Sequence, residues 1–471
     1  NTSNINLQQG SGNSATFTVT NGDIIFASNT TLSTNGGDII FNATGDLDLG
    51  TLVSNGGDIV LSSDTLSFVN LGSGAGDINI THFDRGKIGL GTSFCGSSCD
   101  ITISSTDLAN MTGNKLIIGG TTNGDIYVDG FTQDTTSFAN GVELKVDAHL
   151  SGSNGAIVFE SSASSFSALT ASAVNGIEVN SDLTTTVGSL ALDGDSDNGV
   201  DTNDPVDNIS FVSGITLTSA GDISLSATNG GISAAGALTL TALSSITLTG
   251  ALTGAGDISL SANSGVTLNS GISTTGSLTI EADADDSGSA STDKLTLAGG
   301  INLSAGGALL LDATTGGISG LGNVTLTSTG SSITVTDSLT ALGAVTMTAA
   351  SGLTLSNSTL TGTGDITLQE NDLRSRRATG RPHVDGHYAL YRLLTLQPLD
   401  NAAQRRRRDI HGLRGIPKMQ TGGQMRKQLQ ASKIHYISLF ATLSCKYIIF
   451  QNKRNQLVFT TSRHRRGHSP P

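Results

Sequence analysis

At 471 residues the chain is long enough for two or three ordinary domains or for one long repeat array. Sixty glycines, no tryptophan and 4% aromatic residues argue against the core of a globular enzyme of this size. The net charge of −14 hides two opposed parts: before Leu373 only Arg85, Lys87, Lys115, Lys145 and Lys294 are basic, whereas the last 99 residues hold 20 of the 25 basic residues and three of the 39 acids. So acidic a body repels nucleic acid and anionic membranes, which leaves divalent cations or plain solubility as the use of its charge.

In chain order, the first signals are Asp-Ile pairs. Asp23-Ile24, Asp38-Ile39, Asp58-Ile59, Asp77-Ile78, Asp100-Ile101 and Asp125-Ile126 open short segments in which apolar and polar residues alternate. That period of two is the pattern of a half-buried strand. Their uneven spacing implies loops of varying length extruded at corners. The chain starts at Asn1 without a basic n-region or an apolar h-region, so it reads as a mature form or an interior fragment.

Two polar groups interrupt this stretch. His82, Asp84 and Arg85 form its densest cluster, and an acid/base role competes with an ordinary corner loop, which the scarcity of neighbouring basic residues favours. Cys95-Gly-Ser-Ser-Cys99 is compatible with a local disulfide in an oxidising compartment or with two separate thiols. With no second pair of cysteines or histidines nearby, it is not a zinc site.

The repeat is clearest in the middle. Gly236-Ala-Leu-Thr-Leu240, Gly256-Asp-Ile-Ser-Leu260 and Gly276-Ser-Leu-Thr-Ile280 recur every 20 residues, and Gly322-Asn-Val-Thr-Leu326, Gly343-Ala-Val-Thr-Met347 and Gly364-Asp-Ile-Thr-Leu368 every 21. A second apolar pair follows 8 or 9 residues later (Ile246/Leu248, Val266/Leu268, Ile333/Val335, Leu353/Leu355), then a lone apolar residue (Leu252, Ile272, Leu339, Leu360). Helix is excluded by the missing 3.6 period and by glycine at every eighth residue or closer. Strands this short are stable only when stacked on equivalents from neighbouring coils. The expectation is an all-β, right-handed parallel β-helix over residues 1–372, three-faced, with about 20 residues per coil and Leu238, Ile258 and Leu278 in one interior column.

These Gly-Asp-Ile-x-Leu and Gly-x-Leu-Thr-Leu units resemble the repeat rods of filamentous-haemagglutinin-like exoproteins over about residues 15–370. The resemblance implies a large bacterial surface or secreted adhesin, exported through an outer-membrane secretion partner. It further implies a host-cell, glycan or biofilm-matrix receptor and an extracellular or cell-surface location. An Asn-Pro-Asn-Gly-type motif of the secretion domain is not found, so an interior rod segment is expected.

Acidic inserts near 193–208 and 281–294 break the coils. Counting Asp193 as position 1, Asp193, Asp195, Asp197, Asp201 and Asp204 fall at 1, 3, 5, 9 and 12, the spacing of an EF-hand-like calcium loop. Asn198 stands where glycine is usual and tolerates the left-handed conformation. Asp283-Ala-Asp285-Asp286-Ser-Gly288 reads as a shorter copy. Five carboxylates in twelve residues disfavour a compact loop unless a cation neutralises them; the competing reading is a solvated acidic loop. No other cofactor is called for.

No nucleophile elbow, phosphate loop or hydrolase motif is present, and the chain is expected not to be an enzyme. The alternatives are a β-helix polysaccharide-active enzyme, because paired carboxylates abound on an acidic solenoid, and a calcium-stabilised or ice-binding solenoid presenting outward threonines. After Leu368 the pattern stops. Residues 373–471 turn basic, with Arg405 to Arg408 in a row, and are expected to be disordered or poorly packed. A nucleic-acid or nuclear-targeting tail competes with out-of-frame translation, which is the leading explanation because such a tail clashes with an extracellular, acidic body. The apolar run from Ile434 to Phe450 is broken by Lys446 and is too short to span a membrane.

Overall fold

The computed structural model describes residues 5–6, 12–92, 95, 98–133, 137–147, 155–199, 207–356 and 359–370, and three strands at 394–396, 448–453 and 456–461. The body is an all-β parallel solenoid of about 14 turns. One face is a 15-stranded sheet running without a break from Ala15–Val19 to Leu360–Gly362. A second is a 14-stranded sheet that begins at Ile101–Ser104 and Ile88–Gly91. The remaining strands of the body form a six-stranded sheet up to Met111–Thr112 and, further along, a nine-stranded sheet from Ser164–Phe166 onward. At about 4.8 Å per turn the stack is roughly 65–70 Å long.

Alternation decides what is buried. In Leu238–Ala242, Ile258–Ala262 and Val324–Ser328 every second residue is buried and the intervening Ser and Thr are only partly covered. The buried residues make one continuous hydrophobic core from Ile24 to Leu360. Within it Ile215, Leu238, Ile258, Leu278, Leu309 and Ile333 are successive partners in register, and the partly buried Leu353 continues the column. The expected column of Leu238, Ile258 and Leu278 is therefore present.

The Gly-Asp-Ile motif is explained by two stacked contacts at one corner. The aspartate accepts from the backbone N–H of its equivalent one turn on: Asp58 N–H donates to Asp38 Oδ1 at 3.0 Å, and Asp77 N–H to Asp58 Oδ1 at 2.8 Å. This satisfies a donor at the strand's entry that the sheet does not use. The glycine before it lies directly on the glycine of the previous turn, so a Cβ on Gly57 would fall onto the backbone of Gly37, and one on Gly276 onto that of Gly256.

Asp222 shows the electrostatic consequence. Burial alone would raise its carboxyl, but the hydroxyls of Ser245, Ser244 and Ser189 and the Ser245 N–H overcome this and hold it below the ordinary carboxylate value. Its folded form thus binds a proton less readily than the unfolded chain. The stability it contributes is present above the ordinary carboxyl value near pH 3.9 and is lost as pH falls through the depressed value. Thermal unfolding of wild type and Asp222→Ala should therefore show a clear Tm gap at neutral pH that closes in strong acid. A gap independent of pH would assign the effect to packing instead.

Three details differ from the sequence expectation. The pitch is about 23 residues per turn, not 20, because the inserts and N-terminal loops lengthen many turns. Second, the six glycine-led units do not share one face. Leu238–Ala242 and Ile258–Ala262 belong to the nine-stranded sheet, but Val324–Ser328, Val345–Ala349 and Ile366–Glu370 belong to the 14-stranded one. Third, the stacking order steps back at one place among the described turns: Ile88–Gly91 pairs in parallel with Ile101–Ser104 on one side and with Ile126–Asp129 on the other. Cys95 and Cys99 are disulfide-bonded within that step, with Cα atoms 5.4 Å apart. A one-turn helix, Ser105–Ala109, follows behind a Ser104/Asp107 capping box.

Beyond Glu370, Leu394–Leu396 lies antiparallel to Ile366–Leu368, and Ile448–Lys453 pairs antiparallel with Gln456–Thr461. The rest of the tail, and with it most of the expectation for 373–471, lies outside the described residues.

Candidate functional site: the two acidic corners

The inserts are two copies of one structure. Gly188-Ser-Leu190 and Gly276-Ser-Leu278 open them 88 residues apart, and Ala227-Thr-Asn-Gly-Gly-Ile-Ser233 and Ala313-Thr-Thr-Gly-Gly-Ile-Ser319 close them one turn later. Backbone hydrogen bonds repeat in kind. Gly194 N–H donates to Ser226 O at 2.9 Å as Ala282 N–H does to Asp312 O at 2.9 Å, and Asn198 N–H donates to Asp195 O at 3.1 Å as Asp286 N–H does to Asp283 O at 3.2 Å. Asp197 Oδ1 accepts from Gly199 N–H at 3.1 Å, and Asp285 Oδ1 from Ser287 N–H at 3.1 Å. Asn198 and Asp286, the residues between, have φ of +52° and +50°. The position the EF-hand analogy reserves for glycine is thus left-handed in both copies, held by side chains that tolerate it.

At the centre of each corner sits a buried aspartate. Asp195 and Asp283 are 0% and 3% exposed. Asp195 Oδ2 accepts from Asn229 N–H at 2.8 Å, and Asp283 Oδ2 from Thr315 N–H at 2.8 Å. The second oxygen of each, Oδ1, is buried and accepts no hydrogen bond. A second buried aspartate closes each insert: Gly230 packs on the carbonyl of Asp207, and Gly316 on that of Asp293.

The corners concentrate negative charge. Burial pushes the Asp193 carboxyl above its ordinary value, and the charges of Asp195 and Asp197 push the same way, against the Asp195 N–H and the Ser226 hydroxyl that donate to it. Burial likewise raises Asp337, helped by Asp312 and Asp283 on the two preceding turns and opposed by donation from Ser338. Glu281 and Asp312 are direct partners in register. The nearest basic residue in sequence is Lys294; Lys87, Lys115 and Lys145 lie in the N-terminal half, where they meet Asp125, Glu143 and Asp147 at 3.8, 2.9 and 2.8 Å.

Of the five carboxylates in the calcium-like spacing, Asp193, Asp195 and Asp197 are placed at one corner, while Asp201 and Asp204 lie outside the described residues. Among the described residues no three carboxylate, histidine or cysteine side chains converge as a metal cage. What the spacing did not disclose is the pairing of Asp195 with Asp283. Its signal was the 88-residue interval itself, which also brings Gly364-Asp-Ile366 into the same series.

The His82 cluster is built into a corner. His82 is 4% exposed, and its Nδ1 accepts from Asp84 N–H at 3.0 Å and Gly86 N–H at 2.9 Å, which places the ring proton on Nε2, 3.9 Å from Asp64. Its carbonyl accepts from Thr122 at 2.7 Å. The ring thus shapes the turn that carries Arg85 at φ +61°.

No described helix is long and apolar enough to cross a membrane. No family model matches the chain, and neither the curated proteins nor the solved structures compared with it contain a match.

Proposed function

We propose that the chain is the structural rod of an exported, adhesin-like bacterial protein, holding contact loops away from the cell that makes it. The observation that carries this reading is the unbroken 15-stranded face from Ala15 to Leu360, a single core with nearest-neighbour cohesion from end to end. Such a body transmits load along its axis and needs no separate domain interfaces. The Cys95–Cys99 disulfide fits an oxidising compartment outside the cytosol. Binding to a host-cell, glycan or matrix receptor would fall to the corner loops, which vary while the sheets do not.

A specific observation favours a second reading. On the 15-stranded face, Ser224, Thr247, Thr267, Thr296, Ser319, Thr340 and Thr361 are partners in register, a straight outward column of hydroxyls about 4.8 Å apart. That periodic row suits a regular polar surface such as ice or a crystalline polysaccharide.

Two measurements test the first reading. Surface proteolysis and antibody labelling of intact producing cells should find the chain outside the cytosol. Beads coated with the full chain should adhere to host-cell or matrix-coated surfaces better than albumin-coated beads. A strictly cytosolic chain, or beads no more adherent than the control, would contradict the rod-adhesin reading. Inhibition of ice recrystallisation, or retention on crystalline polysaccharide lost in Thr267→Tyr, would support the second.

A further inference from the structure

We propose that the two acidic corners are a repeated binding site for a hard divalent cation of the calcium type, anchored by the buried Oδ1 atoms of Asp195 and Asp283. The inference goes beyond the rod reading and does not depend on it. Its basis is that the same oxygen is left without a donor at two equivalent places.

Buried polar atoms are nearly always paired, because an unpaired one keeps the full desolvation cost. One orphan oxygen could be an accident of packing. Asp195 and Asp283 repeat the burial, the donor to Oδ2 from the following turn and the orphan Oδ1, while their neighbours repeat the left-handed residue at +52° and +50°. Each also lies among further carboxylates, Asp193 and Asp197 at the first corner, Asp312 and Asp337 at the second. A cation supplies what the protein lacks: positive charge without a hydrogen-bonding requirement.

Calcium takes six to eight oxygen ligands with loose geometry, drawn from carboxylates, carbonyls and water. With one buried carboxylate oxygen per corner as anchor and no three-carboxylate cage among the described residues, most ligands are carbonyl and water oxygens. That places the affinity at the weak end of the calcium range, about 10⁻⁴–10⁻³ M, suited to a millimolar extracellular supply.

The test is a calorimetric titration of the full chain with calcium chloride after chelator treatment, paired with thermal unfolding at matched ionic strength. Two ions per chain are expected, with Tm raised by about 2–5 °C in excess calcium and by less in magnesium. Asp195→Asn and Asp283→Asn should each remove one ion, and the double variant should lose both the heat and the shift. Absence of heat for wild type at 10-fold above about 1 mM calcium would overturn the proposal, whatever the variants do. So would a double variant that still binds two ions, because the cations would then sit elsewhere. The wild-type titration can overturn the proposal even where a variant does not fold, so the test stays falsifiable.

Discussion

Leu260→Ala lowers the stability of the coils around it by about 2–5 kcal/mol, the range for a buried leucine truncated where the surroundings cannot collapse. Leu260 is fully buried and lies between Leu240 and Ile280, its partners in register on either side. Those neighbours are held by their own strands and cannot move into the gap. Because cohesion is local, the effect should be local: hydrogen exchange accelerates from about Leu240 to Ile280 and stays unchanged near Ile59. Leu240→Ala combined with Leu260→Ala should depart from additivity, whereas Leu61→Ala combined with Leu260→Ala should add. A loss below about 1 kcal/mol, or exchange that accelerates uniformly, would show that the core is not a stack of contacting layers.

Gly57→Ala is the second large effect, and it probes the backbone. A methyl on Gly57 would occupy the space of the Gly37 carbonyl group and crowd Asp38 N, all of it backbone. The corner must open, which costs about 1–3 kcal/mol, and the Asp58-to-Asp38 contact stretches with it. Gly72 is the control. Its Cβ would meet the Thr112 Oγ1 at 3.6 Å, an ordinary contact, so Gly72→Ala should be neutral or stabilise by up to about 1 kcal/mol through the unfolded chain. Urea denaturation of both variants reads the difference, and equal effects would remove the glycine-stacking explanation of the motif.

Much of this architecture is legible in the residues. Alternation in Leu238-Thr-Leu240 declares which side chains go inside, and the 20-residue return of glycine declares that like strands stack. Which face a strand joins is not legible, because interior positions on all three faces ask for the same aliphatic residues. The change of face has a simple origin in the 88-residue interval. Leu190–Asp193, Leu278–Glu281 and Ile366–Glu370 are each eleven strands apart, and eleven strands make three turns and two further faces. The equivalent strand therefore lands in the 15-, then the nine-, then the 14-stranded sheet.

The backward step at Ile88 and Ile101 was hidden for a related reason. Asp100-Ile101 looks like every other strand opening, and only the paired cysteines mark the segment as special. The candidate site was half visible: carboxylate spacing singled out the first insert, but spacing is blind to burial. That Asp195 and Asp283 are interior, with one oxygen each left over, is a property of the turns stacked on them, Asn229 and Thr315 above all. In an acidic chain such aspartates look no different in sequence from the solvated ones at 285 and 286.

Distance between remote outward residues tests the stacked-turn architecture most directly. Thr216, Thr279, Thr334 and Thr354 lie in one column, with Thr279 three turns from Thr216, Thr334 five and Thr354 six. Paired spin labels at Thr216 with each of the others should give mean separations increasing by about 4.8 Å per turn, near 14, 24 and 29 Å before allowance for the label arms. Narrow distributions on that line are the expected result. Broad distributions, or separations that do not rise in equal steps with turn number, would contradict a single continuous solenoid.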